Sequence, residues 1–201
     1  CFALLDWSCD LLFSPTLPMG VFLLVPNSFI VHSFLVIFTL LSPPRFPPTT
    51  APLQTLHMDV WGPARVSGQG RERYFLLVVD DITRYTTIFP LRSKGQVVDV
   101  LIPWICAVRL QLRERFHHDL PILRLHSDRG GEFSSDLLRD FCCGEGIPQL
   151  FMLLDSPQKN GIAEHRIGLV MEVACTSMIH AAAPHFRWSF AVWYAAHQLN
   201  L

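Results

Sequence analysis

The stretch YFLLVVDDITRYTTIF, residues 74–89, predicts a β-hairpin in the middle of the fold. Residues 74–79 form an unbroken apolar run, which is typical of a strand buried on both faces. Residues 85–89 are aromatic or β-branched and predict a further strand. The mostly polar residues 80–84 between the two runs predict a short turn.

On either side of this hairpin the hydrophobic period changes. Upstream, every second residue from 56 to 60 is apolar, which predicts a strand with Asp59 on its other face. Downstream, apolar residues recur at spacings of three and four over residues 97–116 and predict an amphipathic helix. Pro103 lies inside this pattern, so it should either kink the helix or mark its true start.

The remaining elements follow from similar patterns and from turn residues. They are a strand over residues 121–126, a helix capped by Ser134 or Ser135 and ending near Gly144, a short strand over 147–151, a long helix from an N-cap at Asn160 to about Ala182, and a last helix from about Ser189. Strands and helices in this order indicate an α/β or α+β protein.

Three acidic residues are the candidates for chemistry: Asp59, Asp128 and Glu164. Carboxylates are the hard oxygen ligands that Mg²⁺ and Mn²⁺ prefer, and two such ions can clamp both oxygens of a phosphodiester displacement. Each acid also has an ordinary interpretation. Asp59 could end a strand, Asp128 could cap the glycine turn that follows it, and Glu164 could be a helix-dipole partner.

Four sequence words flank these acids: LHMDVWGP, YFLLVVDDITRY, LRLHSDRGGEF and DSPQKNGIAEHR, in that order. Together they resemble the catalytic core of integrases from copia-type LTR retrotransposons, over roughly residues 45 to 201. The resemblance implies an RNase H-like α/β fold, a mixed five-stranded sheet flanked by helices. It implies that Asp59, Asp128 and Glu164 are the catalytic residues and hold two Mg²⁺ or Mn²⁺ ions. The implied reaction is DNA 3′-end processing followed by strand transfer.

Polar residues around Glu164 are the candidates for DNA binding. The amides of Gln158 and Asn160 can orient a DNA end, and Lys159 and Arg166 can pair with phosphates. Solvent exposure and helix capping account for the same residues equally well. The resemblance implies the element's DNA ends and target DNA as partners, and a homo-oligomer as the active form.

The glycines and histidines near Asp128 allow further predictions. Gly130 and Gly131 predict a tight turn with positive φ. His57 and His126 each precede an acid by two residues, so a zinc hydrolase site built from His and Asp is conceivable. We expect them instead to be ordinary strand residues beside the site.

Composition excludes little. The net charge is −1, and residues 51–201 hold all but one of the basic and all but two of the acidic residues, so this part is neutral as well. DNA binding therefore needs a local basic groove. The six cysteines form no CxxC pair. We expect reduced thiols, mostly packed in the core of an intracellular protein.

The first 50 residues have a different character. We expect an apolar, poorly specified N-terminal extension ending in a proline-rich linker (1–50), and a C-terminally truncated catalytic core (51–201). The apolar run 29–41 is short for a membrane span, and extending it back to residue 19 includes Pro26 and Asn27. Because of these features, we expect the protein in the nucleus or in a cytoplasmic particle. Membrane attachment through residues 19–42 is the less favoured alternative.

Three functions fit the sequence in different degrees. The favoured hypothesis is a polynucleotidyl transferase core, which predicts metal-dependent DNA joining. A catalytically inactive remnant would at most bind nucleic acid. A related metal-dependent nuclease would cleave DNA without joining it.

Overall fold

A computed structural model describes residues 48–117, 122–128, 130–151 and 161–201. Pro48–Leu201 forms one compact unit. The predictions for residues 1–47, including the apolar extension and the membrane segment at 19–42, lie outside the described residues.

Among the described residues, five strands form one mixed sheet in the order β3-β2-β1-β4-β5. Their bounds are β1 Thr55–Trp61, β2 Tyr74–Asp80, β3 Thr86–Leu91, β4 Arg124–Ser127 and β5 Gln149–Phe151. β1, β2 and β3 pair antiparallel, whereas β1, β4 and β5 pair parallel. The predicted RNase H-like arrangement of a mixed five-stranded sheet with flanking helices is confirmed.

In the part of the chain that the structure describes, four helices pack on this sheet: α1 Val97–Phe116, α2 Asp136–Gly144, α3 Gly161–His180 and α4 Trp188–Leu199. Short 3-10 turns, Lys94–Gln96 and His185–Arg187, precede α1 and α4. The Ser135 hydroxyl accepts a hydrogen bond from the Leu138 amide and caps α2, as one of the two predicted serines. The predicted cap of α3, Asn160, lies outside the described residues.

Packing on both faces of the sheet explains why β2 is apolar from Tyr74 to Val79. Phe75, Leu77 and Val79 face one core, and Leu76 and Val78 face the other. The first core contains α3 and α4, and the second contains α1 and α2. A strand covered on both faces has no polar side, so its hydrophobic pattern is continuous.

Several element boundaries differ from their predictions. β3 starts at Thr86, because the Tyr85 carbonyl closes the turn by accepting a hydrogen bond from the Asp80 amide at 3.0 Å. β4 starts at Arg124, three residues later than predicted. α1 runs from Val97 through Pro103, so the alternative that Pro103 marks its start was wrong. The proline ring lies on the exposed side of the helix and occupies no space in the core.

By length and composition, the stretch Lys94–Arg115 is the one helical segment among the described residues that is apolar enough to cross a membrane. The inward side of α1 is fully buried against the sheet through Val97, Leu101 and Ile105. Packing in the core therefore explains part of the apolar character of α1, whereas Leu110 on the same helix is exposed.

The cysteines only partly match their prediction. Cys142 is buried, whereas Cys106, Cys143 and Cys175 are exposed, and all four are free thiols. The prediction that most cysteines pack in the core was therefore wrong for the described residues. Cys142 and Cys143 are adjacent in α2, where about 100° of rotation per residue turns one inward and the other outward.

Candidate functional site

The first acid, Asp59, lies on β1, with Met58 before it in the second core. Its Oδ1 accepts a hydrogen bond from the Val60 amide at 2.7 Å. β1 runs parallel to β4, and His57 pairs with His126 in their register. Asp59 and Asp128 each lie two residues after this pair of histidines, so they emerge side by side at the same end of the sheet.

A compact turn holds Asp128. Its Oδ1 accepts a hydrogen bond from the Gly130 amide at 3.0 Å. The Gly130 carbonyl in turn accepts a hydrogen bond from the amide of Phe133, which is fully buried and anchors the turn in the core. The predicted positive φ at Gly130 and Gly131 was wrong, because the left-handed glycines of the described chain are Gly62 and Gly146. At Gly130 a Cβ would lie 2.7 Å from the Glu132 carboxyl carbon, so a larger residue there would displace the Glu132 side chain.

Glu164 lies in the first turn of α3 and is exposed. Its neighbour Ala163 is fully buried, which places Glu164 at the edge of the packed side of the helix. Glu164 and Asp59 line the same cleft of about 400 Å³. The other residues that line this cleft are Val60, Trp61, Gly62, Pro63 and Ile167.

Electrostatic interactions connect these acids. Burial raises the pKa of the Asp59 carboxyl above its ordinary value, and the hydrogen bond from Val60 opposes this shift. The charges of Asp128, Glu164 and Glu132 raise the pKa of Asp59 further. A carboxylate surrounded in this way is stabilised by a nearby positive charge.

The donor chemistry fits a hard divalent cation, since all three predicted ligands are carboxylates. One oxygen of Asp59 and one of Asp128 accept backbone hydrogen bonds, and the second oxygen of each takes no part in those bonds. Within the part of the chain that the structure describes, however, no three His, Cys, Asp or Glu side chains form a ready-made metal site. The two-metal ligand set of Asp59, Asp128 and Glu164 therefore stays a prediction.

The histidines flank the acids on the sheet. The rings of His57 and His126 lie 5.0 Å apart. His57 Nε2 lies 3.0 Å from Asp81 Oδ1. Burial lowers the pKa of His57, and the hydrogen bond with Asp81 opposes this. Among the described residues, no set of three His, Cys, Asp or Glu side chains is placed to bind a metal here. Through its contact with Asp81, His57 connects β1 to the turn after β2.

The residues predicted to bind DNA are only partly described. Gln158, Lys159 and Asn160 lie outside the described residues. Arg166 donates from Nε to Thr86 Oγ1 at 2.6 Å and from Nη2 to the Leu199 carbonyl at 3.1 Å. It is two residues from Glu164, hence about 200° around the helix. The structure thus brings Arg166 to β3 and α4, and its role in DNA binding stays a prediction.

Sequence reasoning missed an ion pair beside the acids. Lys94 Nζ donates a hydrogen bond to Glu132 Oε1 at 2.8 Å, across 38 residues of sequence. Glu132 belongs to the word LRLHSDRGGEF, but nothing local connects it with Lys94.

The chain is similar to known proteins over about three quarters of its length. The model of the family described as "Integrase core domain" matches residues 49–152, just over half of the chain. The chain is 32% identical over 152 residues to the retrovirus-related Pol polyprotein from transposon RE2 of Arabidopsis thaliana, covering 76% of this chain and 10% of that one. Identity to the Pol polyprotein from transposon TNT 1-94 of Nicotiana tabacum is 28% over 148 residues, covering 74% and 11%. The chain thus spans about a tenth of the length of these relatives.

A solved structure shares the fold. It is the cryo-electron microscopy structure of the simian T-cell lymphotropic virus intasome in complex with PP2A regulatory subunit B56 gamma. The TM-score is 0.54 at 13% identity, and the match covers 74% of this chain and 50% of that chain. Because the family model matches more than half of the chain, the chain belongs to the integrase core domain family.

Proposed function

We propose that residues 48–201 are the catalytic core of a copia-type retrotransposon integrase, which trims DNA 3′ ends and joins them to target DNA. The observation that carries this proposal is the convergence of acids at one end of the sheet. Asp59 shares a cleft with Glu164, and its pKa is raised by burial and then by the charges of both Asp128 and Glu164. Like charges that raise the pKa of a carboxyl disfavour its ionised form, and such perturbed carboxyls are found preferentially at functional sites.

Each acid has a distinct support. Asp59 stands on β1, and Asp128 directly follows β4, the parallel neighbour of β1, so the pairing of these two strands sets the spacing from which both acids emerge. Glu164 stands near the N-terminus of α3, where the helix dipole favours a carboxylate and can attract a phosphate. Bound Mg²⁺ or Mn²⁺ would supply activation of the attacking hydroxyl and charge stabilisation at phosphorus. Asp59, Asp128 and Glu164 would hold these ions.

The proposed partners are the element's DNA ends and target DNA, bound by a homo-oligomer that acts in the nucleus or in a cytoplasmic particle. The relatives are Pol polyproteins about ten times longer than the matched segment. Efficient integration by this chain would therefore draw on segments that such polyproteins contain outside the matched part.

The test is an assay of the full chain with an oligonucleotide that ends in the element's terminal repeat, in Mg²⁺ or Mn²⁺. Nicking and joining should occur in the wild-type protein and be lost in Asp128→Asn. Asp140→Asn is the matched control, because Asp140 is exposed on α2 and has no part in the site. Cleavage without joining would instead identify a nuclease. Binding without either reaction would identify a non-catalytic remnant.

A further inference from the structure

The ion pair between Lys94 and Glu132 joins two loops at the rim of the acidic site. Lys94 opens the 3-10 turn before α1. That turn is fixed because Gln96 Oε1 accepts hydrogen bonds from the amides of Arg92 at 2.8 Å and Ser93 at 3.4 Å. Glu132 lies four residues after Asp128, in the turn anchored by Phe133. The position of the lysine is therefore defined from both sides.

The two partners differ in burial. The Glu132 side chain is only 7% exposed, whereas the Lys94 side chain is 47% exposed. Glu132 folds back over Gly130, into space that a Cβ at Gly130 would fill. A buried carboxylate needs a charged partner, so Glu132 holds the ammonium group at the surface. An ammonium group has three N–H donors, and Glu132 uses one of them.

The charges around this pair include those of the proposed catalytic centre. Glu132 is one of the three carboxylates that add to the effect of burial in raising the pKa of Asp59. The pKa of Lys94 is raised first by its hydrogen bond to Glu132, and the charge of Asp128 contributes as well. Lys94 is therefore a half-exposed cation within electrostatic range of the acids, with donors to spare.

We propose that Lys94 binds a backbone phosphate of DNA next to the acidic site and that Glu132 holds it in position for that contact. This inference rests on the proposed function, since it requires DNA to lie across the acids. Phosphate oxygens are the acceptors that a surface ammonium group meets on DNA, and such contacts carry no base preference. Lys94 would fix the position of the strand while the acids act on it.

The test measures binding of the full chain to labelled duplex DNA by fluorescence anisotropy at several salt concentrations. Losing one phosphate contact should reduce the slope of log Kd against log salt by about 0.9. Extrapolated from 1 M to 0.05 M salt, this slope change corresponds to a loss in affinity of about 15-fold for Lys94→Gln. Duplexes of unrelated sequence should lose affinity equally, because the contact reads no bases.

Companion variants separate phosphate binding from a purely structural ion pair. In Glu132→Gln the side-chain amide oxygen can still accept the hydrogen bond from Lys94 and hold the lysine in position, while a negative charge is removed. This variant should therefore bind at least as tightly as wild type, with an unchanged slope. Lys94→Arg should retain binding. The double variant Lys94→Gln/Glu132→Gln leaves no unpaired buried carboxylate, so it folds if the single variant does not, and it should show the reduced slope.

A matched control is Arg109→Gln, which removes a cation from another inter-element ion pair, with Glu145. Its slope should stay closer to wild type than that of Lys94→Gln. The inference is overturned if both lysine-free variants keep the wild-type slope, if Glu132→Gln weakens binding as Lys94→Gln does, or if the wild-type chain binds no DNA.

The outcome is distinguishable from failure of the proposed function. If the wild-type chain neither nicks nor joins DNA, but Lys94→Gln reduces the slope of log Kd against log salt, the chain lacks catalysis and retains the phosphate contact. If the wild-type chain nicks and joins DNA, but Lys94→Gln leaves the slope of log Kd against log salt unchanged, the chain is an integrase core in which Lys94 does not contact a phosphate.

Discussion

Replacing Gly62 by alanine should strongly destabilise the protein. Gly62 follows β1, lines the cleft beside Asp59, and has φ +131°. Side chains are rarely tolerated at this φ. A Cβ at this position would lie 2.6 Å from Tyr74 Cδ1 and 2.7 Å from the Arg73 carbonyl oxygen.

The magnitude follows from two contributions. Backbone held in a region that is essentially restricted to glycine costs about 1–3 kcal/mol. Overpacking against neighbours costs roughly 1–3 kcal/mol more. The second cost cannot be avoided by a rotamer change, because the Arg73 oxygen belongs to the backbone. The sum, about 2–6 kcal/mol, is a large part of the roughly 5–15 kcal/mol that stabilises an ordinary domain.

The assay is urea unfolding of the full chain, followed by tryptophan fluorescence. With a slope of about 2 kcal/mol per molar urea, the midpoint should fall by about 1–3 M. Gly168→Ala is the matched control, because Gly168 lies inside α3 and no atom lies within 4 Å of its added Cβ. Alanine there should stabilise by roughly 0.5–1 kcal/mol. Equal midpoints for Gly62→Ala and wild type would refute the reasoning from strain.

Four further outcomes are expected. Burial raises the pKa of Cys142 to about 11, so at pH 8 iodoacetamide should modify the exposed Cys143 much faster, as mass spectrometry of timed samples would show. Ser135→Ala removes the cap of α2 and should cost about 1 kcal/mol in urea unfolding. Arg166→Met should cost roughly 1.5–3 kcal/mol in urea unfolding through its lost hydrogen bonds to Thr86 and Leu199. Asp59→Asn should abolish joining yet raise the melting temperature at neutral pH. Because the pKa of Asp59 is raised on folding, ionisation disfavours the folded state as pH rises above 3.8, and the gain should vanish below that pH.

Strong local patterns made much of the fold predictable. All residues of β2 after Tyr74 are buried, and a continuous apolar run of that length is typical of a strand covered on both faces. The weaker predictions concerned short elements. β4 and β5 contain four and three residues, so parallel pairing with a neighbour, rather than local pattern, fixes where each begins. Pro103 was ambiguous because a proline can stand in the first turn of a helix or kink its interior, and the apolar spacing does not decide between the two.

The site was predictable to the extent that its residues lie in recognisable words. Asp59, Asp128 and Glu164 each had such a word, and parallel pairing of β1 with β4 brings the first two together. Lys94 had none, because its partner Glu132 is 38 residues away and only the folded chain brings them together. The contacts of Arg166 were partly foreseeable, since a residue two positions from Glu164 in a helix points to the opposite side.

The charges at this end of the sheet also constrain how ligands can bind. Asp59 carries a raised pKa because it is buried and because three other carboxylates surround it. The cation we find among them in the described chain, Lys94, is already paired with Glu132. A DNA phosphate arriving alone would add negative charge to a negative site, so its approach is unfavourable there. A divalent cation would neutralise the acids and also attract the phosphate. By linkage, bound DNA would then raise the affinity of the site for the cation by the same factor. Cation and DNA should therefore bind cooperatively, with Lys94 providing the phosphate contact that does not depend on the metal.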